Sequence, residues 1–355
     1  MIQDETHEPH PLSGWLILGV IALVIIAITI TFVLIGSSSE CNCLLTGWSI
    51  IRPPVVVLAL AEQRDYIWAG GPDGIVIIER HTGKPLAPAP VDLPQLEYVR
   101  DILVDSHNTV WVAHQAGLSH YIRGVWHKFS VSDGLLPGAV TAIFEDRDGL
   151  LWVGTETGVS RYDGTSWQGF TVAQGLVAVP VDVIFQDSDG NLWFGSSSPN
   201  QKGISRYNGK TWRTYTIHDG LAHNSLNGII QDSSGAIWFA TGIGNRGGAS
   251  RLSGETWTTF TKQEGLAGTK VRSIFQDRKG RIWFGSEFEG TAIKDGESWV
   301  ILTPKDGLAG NETMEMLQDS DGVFWLATEN GISRIKTLDV AQLRSRQQTE
   351  KGIKP

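Results

Sequence analysis

The sequence predicts an all-β fold, a seven-bladed β-propeller of four-stranded antiparallel blades, and three observations carry that reading. Trp68, Trp111, Trp152, Trp193, Trp238, Trp283 and Trp325 recur at intervals of 41 to 45 residues, and seven copies of a unit that long mark a closed repeat architecture. Each Trp stands in one phrase, clearest in residues 141–155 (TAIFEDRDGLLWVGT), 182–196 (DVIFQDSDGNLWFGS) and 272–286 (RSIFQDRKGRIWFGS). The runs are rich in β-branched and aromatic residues and the gaps in Asp, Gly and Asn, which is strand-and-hairpin chemistry.

Composition narrows the partners. The 355 residues are 41% hydrophobic, with 41 glycines, enough for one large core of short strands. A formal charge of −9 and no basic stripe exclude nucleic acid, because phosphate binding needs concentrated Lys and Arg. Two cysteines, Cys41 and Cys43, supply neither a disulfide framework nor a structural zinc site. No cofactor or metal is expected.

Residues 1–14 form a short acidic tail. Residues 15–35 are uncharged and mostly apolar, long enough to cross a bilayer of ~30 Å as a transmembrane helix. A cleaved signal peptide is the rival reading, but the preceding MIQDETHEPHPLSG lacks Lys and Arg and no A-x-A site follows. Only Arg52 stands beyond the span within reach, so the charge rule leans toward a cytoplasmic C-terminal part. Residues 36–45 are a linker, whose two cysteines suit lipidation, an intermolecular disulfide or no role.

The propeller is expected over 46–336. Residues 139–171 show one blade: AVTAIFE, LLWVGT, GVSRYDG and SWQGFT, separated by turns. A second Trp follows in five repeats (Trp126, Trp167, Trp212, Trp257 and Trp299), always 26 residues before the next repeat Trp. Length variation therefore falls between the second and third strands, at 196–202, 241–247 and 286–289. The residue two after each repeat Trp is always Gly or Ala, which the strand period places on the face of the indole, as if to make room for it. The seventh repeat lacks an outer strand, and residues 46–51 (TGWSII) resemble one. They are predicted to complete the last blade against 331–336. Blade one is degenerate near 83–90, where prolines suit an edge or loop. Residues 337–355 read as a polar tail with at most a short helix.

The Asp six residues before six of the Trps invites a calcium reading, yet two carboxylates in a four-residue turn are too few ligands, so a hairpin turn is expected. The recurring Ser-Arg pairs, from Ser160-Arg161 to Ser333-Arg334, are expected to pair strands or blades. His107, His114, His120 and His127 do not form a metal site, because His107 and His114 would lie at opposite ends of one strand. Loops from fourth to first strands and from second to third strands open on one face. His218 and His223 thus share a face with Asn200 and Lys202, with Asn245 and Arg246, and with Glu287 and Phe288. These eight residues are the candidate ligand-binding surface, since binding sits on loops carried by a rigid frame. No catalytic residue is expected.

The DxxGxxWxGT, GxSRYDG, W..FT and DGL phrases resemble the two-component regulator propeller repeat over about 46–336. The resemblance implies a seven-bladed propeller outside the cytoplasm, of the kind found in sensor regions of bacterial hybrid histidine kinases, recognising a ligand or partner protein and sometimes oligosaccharide. The 355 residues hold no kinase, receiver or helix-turn-helix stretch, so a single-pass, membrane-anchored binding or sensing module is the expectation. A lyase or hydrolase similar to the streptogramin B lyases, with its site at the central mouth, and an architectural scaffold are the alternatives.

Overall fold

Each Trp-centred unit folds as a four-stranded antiparallel sheet in the computed structural model, which describes residues 47–350. The tail 1–14, the span at 15–35 and the linker 36–45 lie outside the described residues. Among those described, no helix is long and apolar enough to cross a membrane. Blades one to six begin at Ala59, Asp101, Val140, Val183, Leu226 and Val271. Blade seven takes three strands from Thr313–Gln318, Phe324–Thr328 and Gly331–Ile335, and its outer strand from Trp48–Ile51. The predicted closure is present: Trp48 pairs with Ile335 and Ile51 with Ile332. Trp48 Nε1 also donates to Thr337 O at 3.1 Å.

The repeat indoles are 0 to 6% exposed and wedge between blades. Trp193 meets Phe239 of the next blade at 5.5 Å between ring centroids, and Trp283 meets Phe324 at 4.8 Å. At ~25 cal/mol/Å² a buried Trp contributes on the order of 4 to 6 kcal/mol as an upper bound. The turn Asp does more than close its hairpin. Its Oδ2 accepts the indole N–H of its own blade at 2.7 to 2.9 Å in six blades, and in blade one Gln63 takes that place at 3.0 Å. The repeated Arg lies over the same indole, 5.4 Å from it at Arg206 and 5.2 Å at Arg334. The repeated Ser does pair blade with loop: Ser250 Oγ accepts from Ala222 N at 2.8 Å, and Ser333 Oγ from Ala309 N at 2.7 Å.

Two expectations change. The small residue after each Trp makes room for the next blade's first strand, not for an indole. A Cβ on Gly154 would lie 2.1 Å from Val181 O, and one on Gly195 would lie 2.4 Å from Leu226. The insertion at 241–247 is no loop but a lengthened hairpin, Ile237–Ile243 against Arg246–Ser253, because backbone pairing continues out to Ile243 and Arg246. The C-terminal tail carries an 11-residue helix, Val340–Glu350. It buries Val340 and Leu343 beside Leu302 and Leu308, and the Gln347 side chain pairs with the backbone of Ile301 on the outer edge of blade six.

Candidate functional site at the central mouth

The first strand of every blade runs down the central axis, and the residue at its entrance turns into a mouth of about 220 Å³. That residue stands eleven positions before the repeat Trp, or ten in blade one. Around the ring it is Leu58, Arg100, Thr141 and Asp182, then Asn227, Arg272 and Met314. In four blades it is the unpaired residue of a β-bulge, at Thr141, Asn227, Arg272 and Met314. A bulge spends one residue on re-aiming a side chain, so a position inside a strand becomes a wall of the mouth.

The ring is polar and unevenly charged. Asp182 Oδ2 accepts from Ser197 N and Oγ, each at 2.8 Å. Arg272 Nε pairs with Glu312 at 2.9 Å. Asn227 donates to Gly242 O and Val271 O and leaves its buried Oδ1 without a partner. Arg100 has no carboxylate partner among the described residues. Its guanidinium lies 4.7 Å from the ring centre of Tyr98 and donates to Gln115 at 3.3 Å. Tyr98 is exposed and held at a left-handed φ of 52°, an unfavourable backbone state for an aromatic residue.

One step deeper, a channel cavity of about 300 Å³ adds two further carboxylates, Asp101 and Glu315, to Asp182. Asp101 Oδ2 accepts from Ile143 N at 2.7 Å and Glu315 Oε2 from Leu60 N at 2.6 Å, so each ties its blade to the next. Burial raises Asp101 to about 6. Burial, and then the charge of Asp101, push Glu315 well above the usual carboxylate range. A carboxyl whose folded pKa is raised binds more protons folded than unfolded. Its contribution is therefore complete below the unfolded value near 4 and is lost as pH rises toward the folded value. Asp101→Asn is expected to be more stable than the native chain at pH 7.5 and to lose that advantage at pH 4.5. Denaturant midpoints at the two pH values test this, and a midpoint difference independent of pH would refute it.

The eight residues expected on the loop face lie on the mouth side, but none lines the mouth or channel. Ser225 Oγ donates to Ser198 O at 2.9 Å, joining the loop that carries His223 to the loop that carries Asn200 and Lys202. His223 Nδ1 accepts from Ser225 N at 3.0 Å, and burial followed by the positive charge of Arg246 lowers its pKa. Glu287 pairs with Lys270 at 2.6 Å, while Phe288 is 66% exposed. His218, Asn200, Lys202 and Asn245 are exposed. Among the described residues no group of three or more His, Cys, Asp or Glu is placed to hold a metal ion. The mouth escaped the sequence reading, although it had a signal: the position holds six different residue types in seven repeats of an otherwise regular phrase.

Residues 134–157, 175–198 and 265–288 match the family described as the two component regulator propeller. Three of the seven repeats thus match that repeat model. No curated protein matches the sequence. Among solved structures, the extracellular domain of a hybrid two component system from B. thetaiotaomicron is 21% identical at a TM-score of 0.71, over 85% of this chain and 42% of that one. The chain thus spans about two fifths of that structure's length. A catalytically inactive virginiamycin B lyase from Staphylococcus aureus, with Quinupristin, is 16% identical at 0.63, over 82% of this chain and 99% of that one. PorZ, a surface component of the type-IX secretion system of Porphyromonas gingivalis, is 15% identical at 0.63, over 81% and 47%. At these identities the likeness is one of fold.

Proposed function

We propose that the regulator-propeller repeats form a recognition module, anchored by residues 15–35 and facing away from the cytoplasm, that binds an extracytoplasmic ligand or partner at the central mouth. One observation supports this most: seven equivalent positions that differ in chemistry converge on one opening, several of them re-aimed by bulges. A frame that repeats strictly while its inner ring varies separates stability from specificity. The unpaired Arg100, beside the exposed ring of Tyr98, favours a ligand that brings a carboxylate or another anionic group, on a sugar or on a peptide. The likeness to propellers of sensor systems supports a sensing role. A lyase would need a base over the mouth; His223 stands away from it, and the mouth carboxylate Asp182 already accepts from Ser197 N and Oγ.

The test is binding of the purified full-length protein to arrays of acidic and neutral oligosaccharides and of peptides. Arg100→Ala with Arg272→Ala is expected to weaken the strongest binder at least about tenfold, as for loss of charge-assisted hydrogen bonds. Full affinity in that double variant would place recognition elsewhere.

A further inference from the structure

On the face opposite the mouth, six of the seven blade interfaces share one clasp. A Glu or Gln seven residues before the repeat Trp, six in blade one, accepts from a turn N–H of the preceding blade. The series runs from Glu145 with Ser106 at 2.7 Å round to Glu62 with Ser320 at 3.0 Å. Blade two has Val104 at this position, which offers no acceptor. Blade one meets it with a two-residue turn, Arg64 and Asp65, in place of the usual five. The interface between blades one and two is the one that lacks the clasp, and a cavity of about 830 Å³ opens there. That exceeds the mouth and the channel and lies in the range of small-molecule sites, roughly 300 to 1,000 Å³.

The cavity is lined by the rings of Tyr66, Trp111, Tyr121 and Tyr162 and by Arg64 and Arg123. Both arginines occupy left-handed turn positions, at φ of 55° and 49°, where Gly or Asn is usual. Such positions cost strain, and strained residues gather at functional sites. Both are exposed, and neither has an acidic partner within ion-pair distance among the described residues. The one lining carboxylate, Asp105, is occupied: it accepts from His107 N, Thr109 N and Trp111 Nε1 at 2.8 to 2.9 Å.

We propose that this seam is a second binding site, taking a small aromatic anion whose ring packs on the tyrosines and whose carboxylate lies between Arg64 and Arg123. Aromatic walls select a ring, since offset or edge contacts between rings add to burial. Two unpaired guanidiniums select the charge, which they bind in a fork that a lysine lacks. The site is independent of the mouth, which lies on the opposite face and uses other residues.

Isothermal titration of the full-length protein tests it with three probes: 4-hydroxyphenylacetate, its cationic analogue tyramine, and acetate as an anion without a ring. Only 4-hydroxyphenylacetate is expected to bind. Arg64→Ala with Arg123→Ala should weaken it at least about tenfold with the melting temperature unchanged, because both side chains are exposed. Val104→Gln supplies the missing acceptor and should weaken binding while raising the melting temperature. Arg100→Ala with Arg272→Ala should leave this binding intact, which separates failure here from failure at the mouth. The proposal is overturned by no heat from 4-hydroxyphenylacetate up to about 10 mM, a ligand weaker than ~3 kcal/mol. Equal binding of tyramine or acetate overturns it too, as does full affinity in the arginine double variant.

Discussion

Asp277→Ala is expected to cost about 3 to 5 kcal/mol of stability, the range for stranding a buried charge. Asp277 is 4% exposed and gathers four donors. Its Oδ1 takes Lys279 N at 2.9 Å and Arg281 N at 3.0 Å, and its Oδ2 takes Arg281 Nε at 2.6 Å and Trp283 Nε1 at 2.9 Å. Without it, a guanidinium that is 6% exposed loses its ion partner and a buried indole N–H is orphaned. The equivalent change at Asp232 provides the control, because Ala236 replaces Arg281 there and Arg251, the nearest cation, is about a third exposed. That variant should cost about 1 to 3 kcal/mol. Guanidinium denaturation of both proteins reads the difference. Equal losses would show that the buried Arg281–Asp277 pair adds nothing to the repeated turn.

Ile51→Asp should release the strand that closes the ring. Ile51 is buried among Val57, Leu60, Trp325 and Ile332, where a carboxylate is stripped of water, and the cost is several kcal/mol, about 3 or more. The strand Trp48–Ile51 then detaches and leaves the Gly331–Ile335 edge bare, an invitation to pairing between molecules. Light scattering should report association and limited proteolysis should cut before Val57. Ser49→Asp, at an exposed position of the same strand, should do neither. A monomeric, protease-resistant Ile51→Asp protein would mean that closure does not depend on this strand.

The architecture was legible because it is written seven times. A period of 41 to 45 residues with two Trps per unit leaves little freedom, and the missing outer strand of the seventh repeat pointed to Trp48. What escaped depends on contacts between units. Thr141, Asn227, Arg272 and Met314 face the mouth at bulges that break the alternation of their strands, and alternation is what a sequence pattern encodes. The Asp six residues before the Trp was visible as a repeated turn residue, but its bond to the indole crosses the turn and follows no strand period. The loop-face reading put His223 and Arg246 on one face, but insertion length drew attention to the hairpin tips and away from the inner ring. Val104 carries its meaning only by contrast with the acceptors at the same place in the other blades.

The pairing of Trp48 with Ile335 has a consequence for biosynthesis. The ribosome makes the first half of this seam nearly a whole propeller ahead of the second, so the early strand waits unpartnered while the blades form in turn. Closure is the last event of folding, and until it happens the nascent molecule is an open arc with two adhesive ends. A chaperone that shields strand edges would act on this protein in that interval, before Ile335 emerges.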